Sequence, residues 1–154
     1  MRQQTYYEAY LDDFDKIVVY LSRNSYGGSS NRFYVKDDDG NIYNLLIQSV
    51  ETTQNNYTKY TLLLNEELEI GKEYYVVHQH ARAVILQYSA IVKTQRFDDM
   101  FYYDGADLGY TYNNKYTSFA LWAPCASRVK LEIAKNNVTY TYEMQRTEKG
   151  VFRY

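Results

Sequence analysis

Apolar and polar residues alternate in short runs along most of this chain, and Gly, Asn, Asp and Ser clusters separate the runs. A period of two is the mark of a strand with one buried face. The alternation predicts strands over Tyr6–Leu11, Lys16–Leu21, Arg32–Lys36, Ile42–Val50, Tyr57–Leu64, Glu73–His78 and Arg82–Tyr88. DDDGN at residues 37 to 41 carries the Asp-Gly signal of a hairpin turn, and TTQNN at 52 to 56 turns the chain again. Helical spacing is scarce, and NEELEIG at 65 to 71 is the best local helix or turn. A meander of this kind reads as a β-sandwich.

From Ser89 to Gly109 the pattern loosens, and an Asp- and Gly-rich loop is expected over 104 to 109. Strands are predicted again at Tyr110–Tyr112, Tyr116–Trp122, Arg128–Ala134, Thr139–Gln145 and Val151–Tyr154, with EKG as a turn. The pattern places a module boundary near Arg96–Asp98. The stretch YTSFALWAPCASRVKLEI, residues 116 to 133, holds the single Trp and the single Pro of the chain. Phe119 and Leu121 are expected to face one way, in the core, with Trp122 ending the strand and packing in the core or against a neighbouring module, ahead of the alternative that its ring is a platform for a sugar. Ala123-Pro124 lets the chain leave the sheet where no N–H is needed, and Val129 and Leu131 supply the facing layer.

Composition adds limits. The chain has 154 residues, 45% of them apolar and 23% charged, with a net charge of −2. That is the mix of one ordinary globular domain or two small ones, and it carries no basic excess for nucleic acid. No apolar run is long enough to span a membrane, and the N-terminus lacks an apolar signal region. One Cys forms no internal disulfide and suits a reducing compartment, so the chain is read as cytoplasmic; a trimmed extracellular chain would read the same. The chain has 20 Tyr against 6 Phe. Tyr favours strands, and it offers a flat apolar face and a hydroxyl together, which suits sugars. A Tyr-rich surface on strands explains the count as well.

Other chemistry is thin. His78 and His80 form H-x-H without a third ligand nearby, so no metal and no cofactor are expected. Cys125, beside Pro124, reads as a small core residue. SYGGSS lacks the Lys of a phosphate loop, and Asp12 and Asp13 lack the oxygen spacing of a calcium loop. Asp98 and Asp99 sit in a linker-like segment and make a poor hydrolytic pair.

FALWAP, followed by V-K-L at 129 to 131, resembles the signature of carbohydrate-binding module family 48. RFDDMFYYDGADLGYTYNNKYTSFALWAP is similar to the linker and first strands of type I pullulanases, and EAYLDD at 8 to 13 resembles a segment of their N-terminal β-domain. The resemblance covers essentially the whole chain. It implies an all-β fold of two immunoglobulin-like β-sandwich modules in tandem. Residues 1 to 96 would form the first, and 97 to 154 the start of a family-48 module that is incomplete at its C-terminus. A YNWGYDP-type motif, the catalytic barrel and its Asp nucleophile and Glu acid are all missing. The resemblance therefore implies no catalytic residues and no enzyme in this chain.

What it implies instead is a non-catalytic, α-glucan-binding accessory region of a debranching glycoside hydrolase that acts on starch or pullulan. The partners implied are an α-glucan oligosaccharide and the enzyme's own barrel. A structural reading stands beside it, in which the modules brace the barrel and have no useful sugar affinity. Phe14, Tyr20, Tyr26, Lys93 and Arg96 are the candidate carbohydrate-binding residues, chosen for expected exposure and nearness to the EAYLDD segment or the module junction. An incomplete second module would stay partly disordered or self-associate through its bare edges, and self-association is the favoured outcome.

Overall fold

The computed structural model describes residues 7–80 and 82–154, so Tyr6 of the first predicted strand lies outside the described residues. The chain folds as two compact units. The first comprises residues 1 to 69 and 73 to 94, and the second 70 to 72 and 95 to 154.

The first unit is all-β, as the alternation predicts. Its strands are β1 (Tyr7–Asp13), β2 (Lys16–Ser22), β3 (Phe33–Asp37), β4 (Ile42–Thr52), β5 (Tyr57–Leu64), β6 (Tyr74–His78) and β7 (Ala83–Tyr88). The hydrogen-bonded order is β1-β2-β5-β4-β3-β6-β7. A parallel pairing of β1 with β7, Ala9 opposite Leu86 and Leu11 opposite Tyr88, closes the circuit. The hydrogen-bonded circuit thereby closes into a barrel, although β4 beyond Leu45 pairs with β5 alone. Period two decides what lies inside. Ile17, Val19 and Leu21 of β2 point inward and are fully buried with Val35, Leu62 and Val76. Tyr20 points outward and stays half-exposed. The NEELEIG segment forms bends and a turn, not a helix.

A helix does form where only a linker was expected. Residues Gln95–Phe101 make α1, in the second unit. Phe97 and Phe101 are one turn apart, both buried, with ring centroids 4.8 Å apart. That i, i+4 aromatic pair, with Asp98 in the first turn, outweighs the poor length of the segment.

The rest of the second unit holds β8 (Gly109–Tyr112), β9 (Thr117–Trp122), β10 (Lys130–Lys135), β11 (Val138–Glu143), β12 (Gln145–Arg146) and β13 (Val151–Arg153). One sheet runs β12-β13-β9-β8, and β10-β11 is a separate hairpin. The chain changes sheets between β9 and β10, as the Ala-Pro pair suggested. Arg146 fastens the crossing: its guanidinium donates to the carbonyls of Pro124 at 2.8 Å and Ala126 at 3.0 Å.

One expectation about β9 fails and another narrows. Leu121 is not in a closed core but 48% exposed, and Phe119 is only half-buried. The pleat does send both to one face, toward Val129 and Leu131, but that face lines an open apolar cavity of about 340 Å³. Ala120 takes the buried side instead. Trp122 is 44% exposed, which removes it from the core and leaves the neighbouring-module reading, and its indole N–H donates to the Phe101 carbonyl at 2.9 Å.

Two predictions follow from these packings. Gly150 holds φ +72°, and a Cβ there would lie 2.5 Å from the Pro124 Cα. Gly150→Ala should therefore destabilise the second unit by at least about 1 kcal/mol, since strain and a backbone clash add. Urea unfolding followed by the fluorescence of Trp122 should show an earlier midpoint; an unchanged midpoint contradicts the packing. In the first unit, His78 is 1% exposed, and its Nδ1 accepts from the His80 N–H at 3.3 Å. Its Nε2 is buried without a hydrogen-bond partner among the described residues. Burial chiefly, then His80 and Arg82, hold this imidazole below its ordinary value of 6.5. The unfolded chain then binds a proton that the folded unit does not, so stability falls as pH drops below the ordinary histidine value. Thermal melts should show the midpoint falling between about pH 7 and about pH 5, and the slope should flatten in His78→Phe. Equal slopes in the two proteins would refute it.

Candidate functional site

The outer face of the β1-β2-β5 layer carries an open concavity of about 510 Å³ within the first unit. Three tyrosines form its apolar surface: Tyr10 from β1, Tyr20 from β2 and Tyr57 from β5. Strand geometry explains the gathering. Side chains at every second position of β1 share a face, so Glu8, Tyr10 and Asp12 all point outward. Antiparallel pairing sets Tyr10 opposite Val18 and Glu8 opposite Tyr20. Tyr57, opposite Ser22, stands at the end of the same layer.

The rings are held in place. Tyr10 and Tyr20 meet edge to face, with centroids 6.1 Å apart and planes at 73°. The Tyr10 hydroxyl donates to Glu8 Oε2 at 3.0 Å. Burial, and next this hydrogen bond to the carboxylate, push the Tyr10 phenol above its usual value, so it keeps its proton. Two tight segments build the rim. Thr53 and Tyr57 close a loop, with the Thr53 N–H donating to the Tyr57 carbonyl at 2.9 Å and the Tyr57 N–H to Thr53 Oγ1 at 3.2 Å. At the other end the Ser89 N–H donates to the Leu11 carbonyl at 3.1 Å, which sets Ser89 and Ala90 against β1. Asp12, Thr53, Asn55 and Ser89 bring polar groups to the lining.

Flat rings ringed by carboxylate, amide and hydroxyl groups suit a neutral ligand with C–H faces and many hydroxyls. Among the described residues no group of three His, Cys, Asp or Glu is placed to hold a metal. The Cys125 thiol is pushed up by burial, with Arg146 opposing. Asp98 and Asp99 are adjacent and exposed on α1, where neighbouring positions do not face each other.

The five sequence-derived candidates do not converge. Tyr20 lines the concavity. Phe14 is a correction: at 4% exposure it is a core residue, because the turn between β1 and β2 folds its ring inward. Tyr26 is 61% exposed and stacks on His80. Lys93 is exposed at the end of a 3-10 turn over Ala90–Lys93. Arg96 is exposed on α1, in the second unit. Tyr10, Tyr57, Glu8 and Asp12 were overlooked, although the alternation of EAYLDD already put Glu8, Tyr10 and Asp12 on one face.

Comparison with known proteins follows the same division. Residues 7–93 match the pullulanase N1-terminal domain, and residues 107–154 match carbohydrate-binding module 48, the isoamylase N-terminal domain. The pullulanase of Bacillus subtilis (strain 168) is 30% identical over 147 residues, which is 95% of this chain and 20% of that protein. Pullulanase from Anoxybacillus sp. LM18-11, solved in complex with maltotriose, superposes with a TM-score of 0.86 at 35% identity, over 97% of this chain and 22% of that one. The same enzyme complexed with maltotetraose gives 0.79 at 36% identity, over 96% and 20%. Type I pullulanase from Bacillus subtilis str. 168, complexed with maltose, gives 0.88 at 28% identity, over 100% and 21%. The chain thus spans about a fifth of these relatives' length. The first of these domain matches spans more than half of the chain, which therefore belongs to the pullulanase N1-terminal domain family.

Proposed function

We propose that this chain is a non-catalytic region that holds α-glucan chains for a pullulanase-type hydrolase, and that the concavity on the first unit is where the glucan lies. The observation that carries the reading is the convergence of Tyr10, Tyr20 and Tyr57 on one open, polar-rimmed concavity. Each phenol ring offers a flat surface to the C–H face of a glucose unit. Glu8, Asp12 and Asn55 supply acceptors for its hydroxyls. The relatives solved with maltotriose and maltotetraose support α-glucan as the ligand class. Cleavage of α-1,6 bonds is the work of a carboxylate pair that this region does not need in order to bind.

Calorimetric titration of the chain with maltotetraose tests the reading. Saturable binding is expected, and Tyr20→Ala should weaken it by about 1 kcal/mol, or about fivefold in Kd. Silence up to millimolar sugar would favour a bracing role instead. A second assay checks the division of labour. The purified chain should release no reducing ends from pullulan above a buffer blank, and measurable release would sink the non-catalytic reading.

A further inference from the structure

Tyr26 is held in a way that its place in a surface loop does not require. The loop after β2 runs Tyr26, Gly27, Gly28 with φ of +49°, +64° and +71°, three left-handed residues in succession. Glycine adopts such angles freely, whereas a bulky aromatic residue does so at a cost of about 1 kcal/mol or more. The surroundings enforce it. Gly28 has no room for a side chain, since a Cβ would lie 2.4 Å from Thr58 Oγ1. The Tyr60 hydroxyl, inside the barrel, donates to the Gly28 carbonyl at 2.9 Å and accepts from the Ser30 N–H at 3.0 Å.

The result is a flat ring laid on another. Tyr26 stacks on His80 with centroids 3.6 Å apart and planes at 7°. His80 is in turn edge-on to His78 at 5.4 Å. One face of Tyr26 is covered by the imidazole, and the ring remains 61% exposed. A strained backbone that presents a supported, solvent-facing aromatic plane is the form of a ligand platform, and strain of this kind collects at binding sites.

The platform stands at the same end of the barrel as one end of the concavity, and two chain connections tie them. Tyr57 of the concavity pairs with Ser22, four residues before Tyr26. The two loops are stapled: the Arg23 N–H donates to the Asn56 carbonyl at 2.9 Å, and Asn56 Nδ2 donates to Asn24 Oδ1 at 3.0 Å. From the other side, Tyr7 packs edge-on to His78 at 4.9 Å, and the next residue, Glu8, lines the concavity.

We infer that Tyr26, backed by His80, is an outlying subsite that stacks a further glucose ring of a longer neutral α-glucan whose main grip is the Tyr10–Tyr20–Tyr57 concavity. This rests on the glucan-binding reading of that concavity. Its consequence is selection by chain length: short oligosaccharides fill the concavity alone, and longer ones also reach Tyr26. A contact added by a tethered second subsite raises affinity without altering the first.

The test compares maltotriose with maltoheptaose by calorimetry on the whole chain and on two variants. Tyr26→Asn removes the ring while Asn tolerates the left-handed backbone. Tyr20→Ala strikes the concavity. The wild-type chain should bind maltoheptaose several-fold more tightly than maltotriose. Tyr26→Asn should lower maltoheptaose affinity about fivefold, the order of one aromatic contact, and leave maltotriose unchanged. Tyr20→Ala should weaken both sugars. Unchanged maltoheptaose affinity in Tyr26→Asn overturns the subsite, as does an equal loss for both sugars. If Tyr20→Ala leaves both affinities intact, the concavity reading itself fails, and the subsite falls with it.

Discussion

The parallel pairing of β1 with β7 is the constraint on which the candidate site depends. Without it β1 would be an edge strand, held on one side alone by β2. With it, the circuit of strands in the first unit closes, and β1 is fixed in register on both flanks at Ala9–Leu11. A slip of one residue would turn Ala9 and Leu11 to solvent and Glu8, Tyr10 and Asp12 into the core. The burial of Ala9 and Leu11 and the outward placement of Tyr10 are therefore one fact seen from two sides.

The same closure delivers the rim. The chain leaves β7 beside the end of β1, and the Ser89 N–H finds the Leu11 carbonyl there. Ile91, fully buried, anchors the 3-10 turn that follows. At the opposite end, β2 and β5 pair as far as Ser22 and Tyr57, so the loops that follow β2 and precede β5 emerge together. Tyr26 sits on the first of those loops, and Tyr57 is the residue at which the second enters β5. A candidate face held this firmly would need little rearrangement to take a ligand, which limits the entropy lost on binding.

Much of this was legible in the chain. The alternation in KIVVYL and YTKYTLLL marks strands with one buried face, and the Ala-Pro pair marks the change of sheet after β9. The family resemblance, carried by FALWAP and FDDMFYYDG, agrees with the matched domain models. Three things escaped, each for a physical reason. The helix α1 is too short for periodicity to reveal, and its support is one Phe97–Phe101 pair. Phe14 follows two Asp residues at a turn, where sequence pattern does not say which way a ring folds. The concavity depends on which strands pair, and only β1-β2-β5 adjacency brings Tyr10, Tyr20 and Tyr57 to one place. Of the sequence-derived candidates Tyr20 lines the concavity, and Lys93 of the same unit does not.

The central claim is that the outer face of β1-β2-β5 is where this region meets its glucan. Amide and aromatic NMR shifts of the labelled chain, followed while maltotetraose is added, test it most directly. The account predicts that the largest changes fall on Tyr10, Tyr20, Tyr57 and Ser89 and saturate together. Changes centred on β8 and β9 of the second unit, or none on β1 and β2, would contradict it.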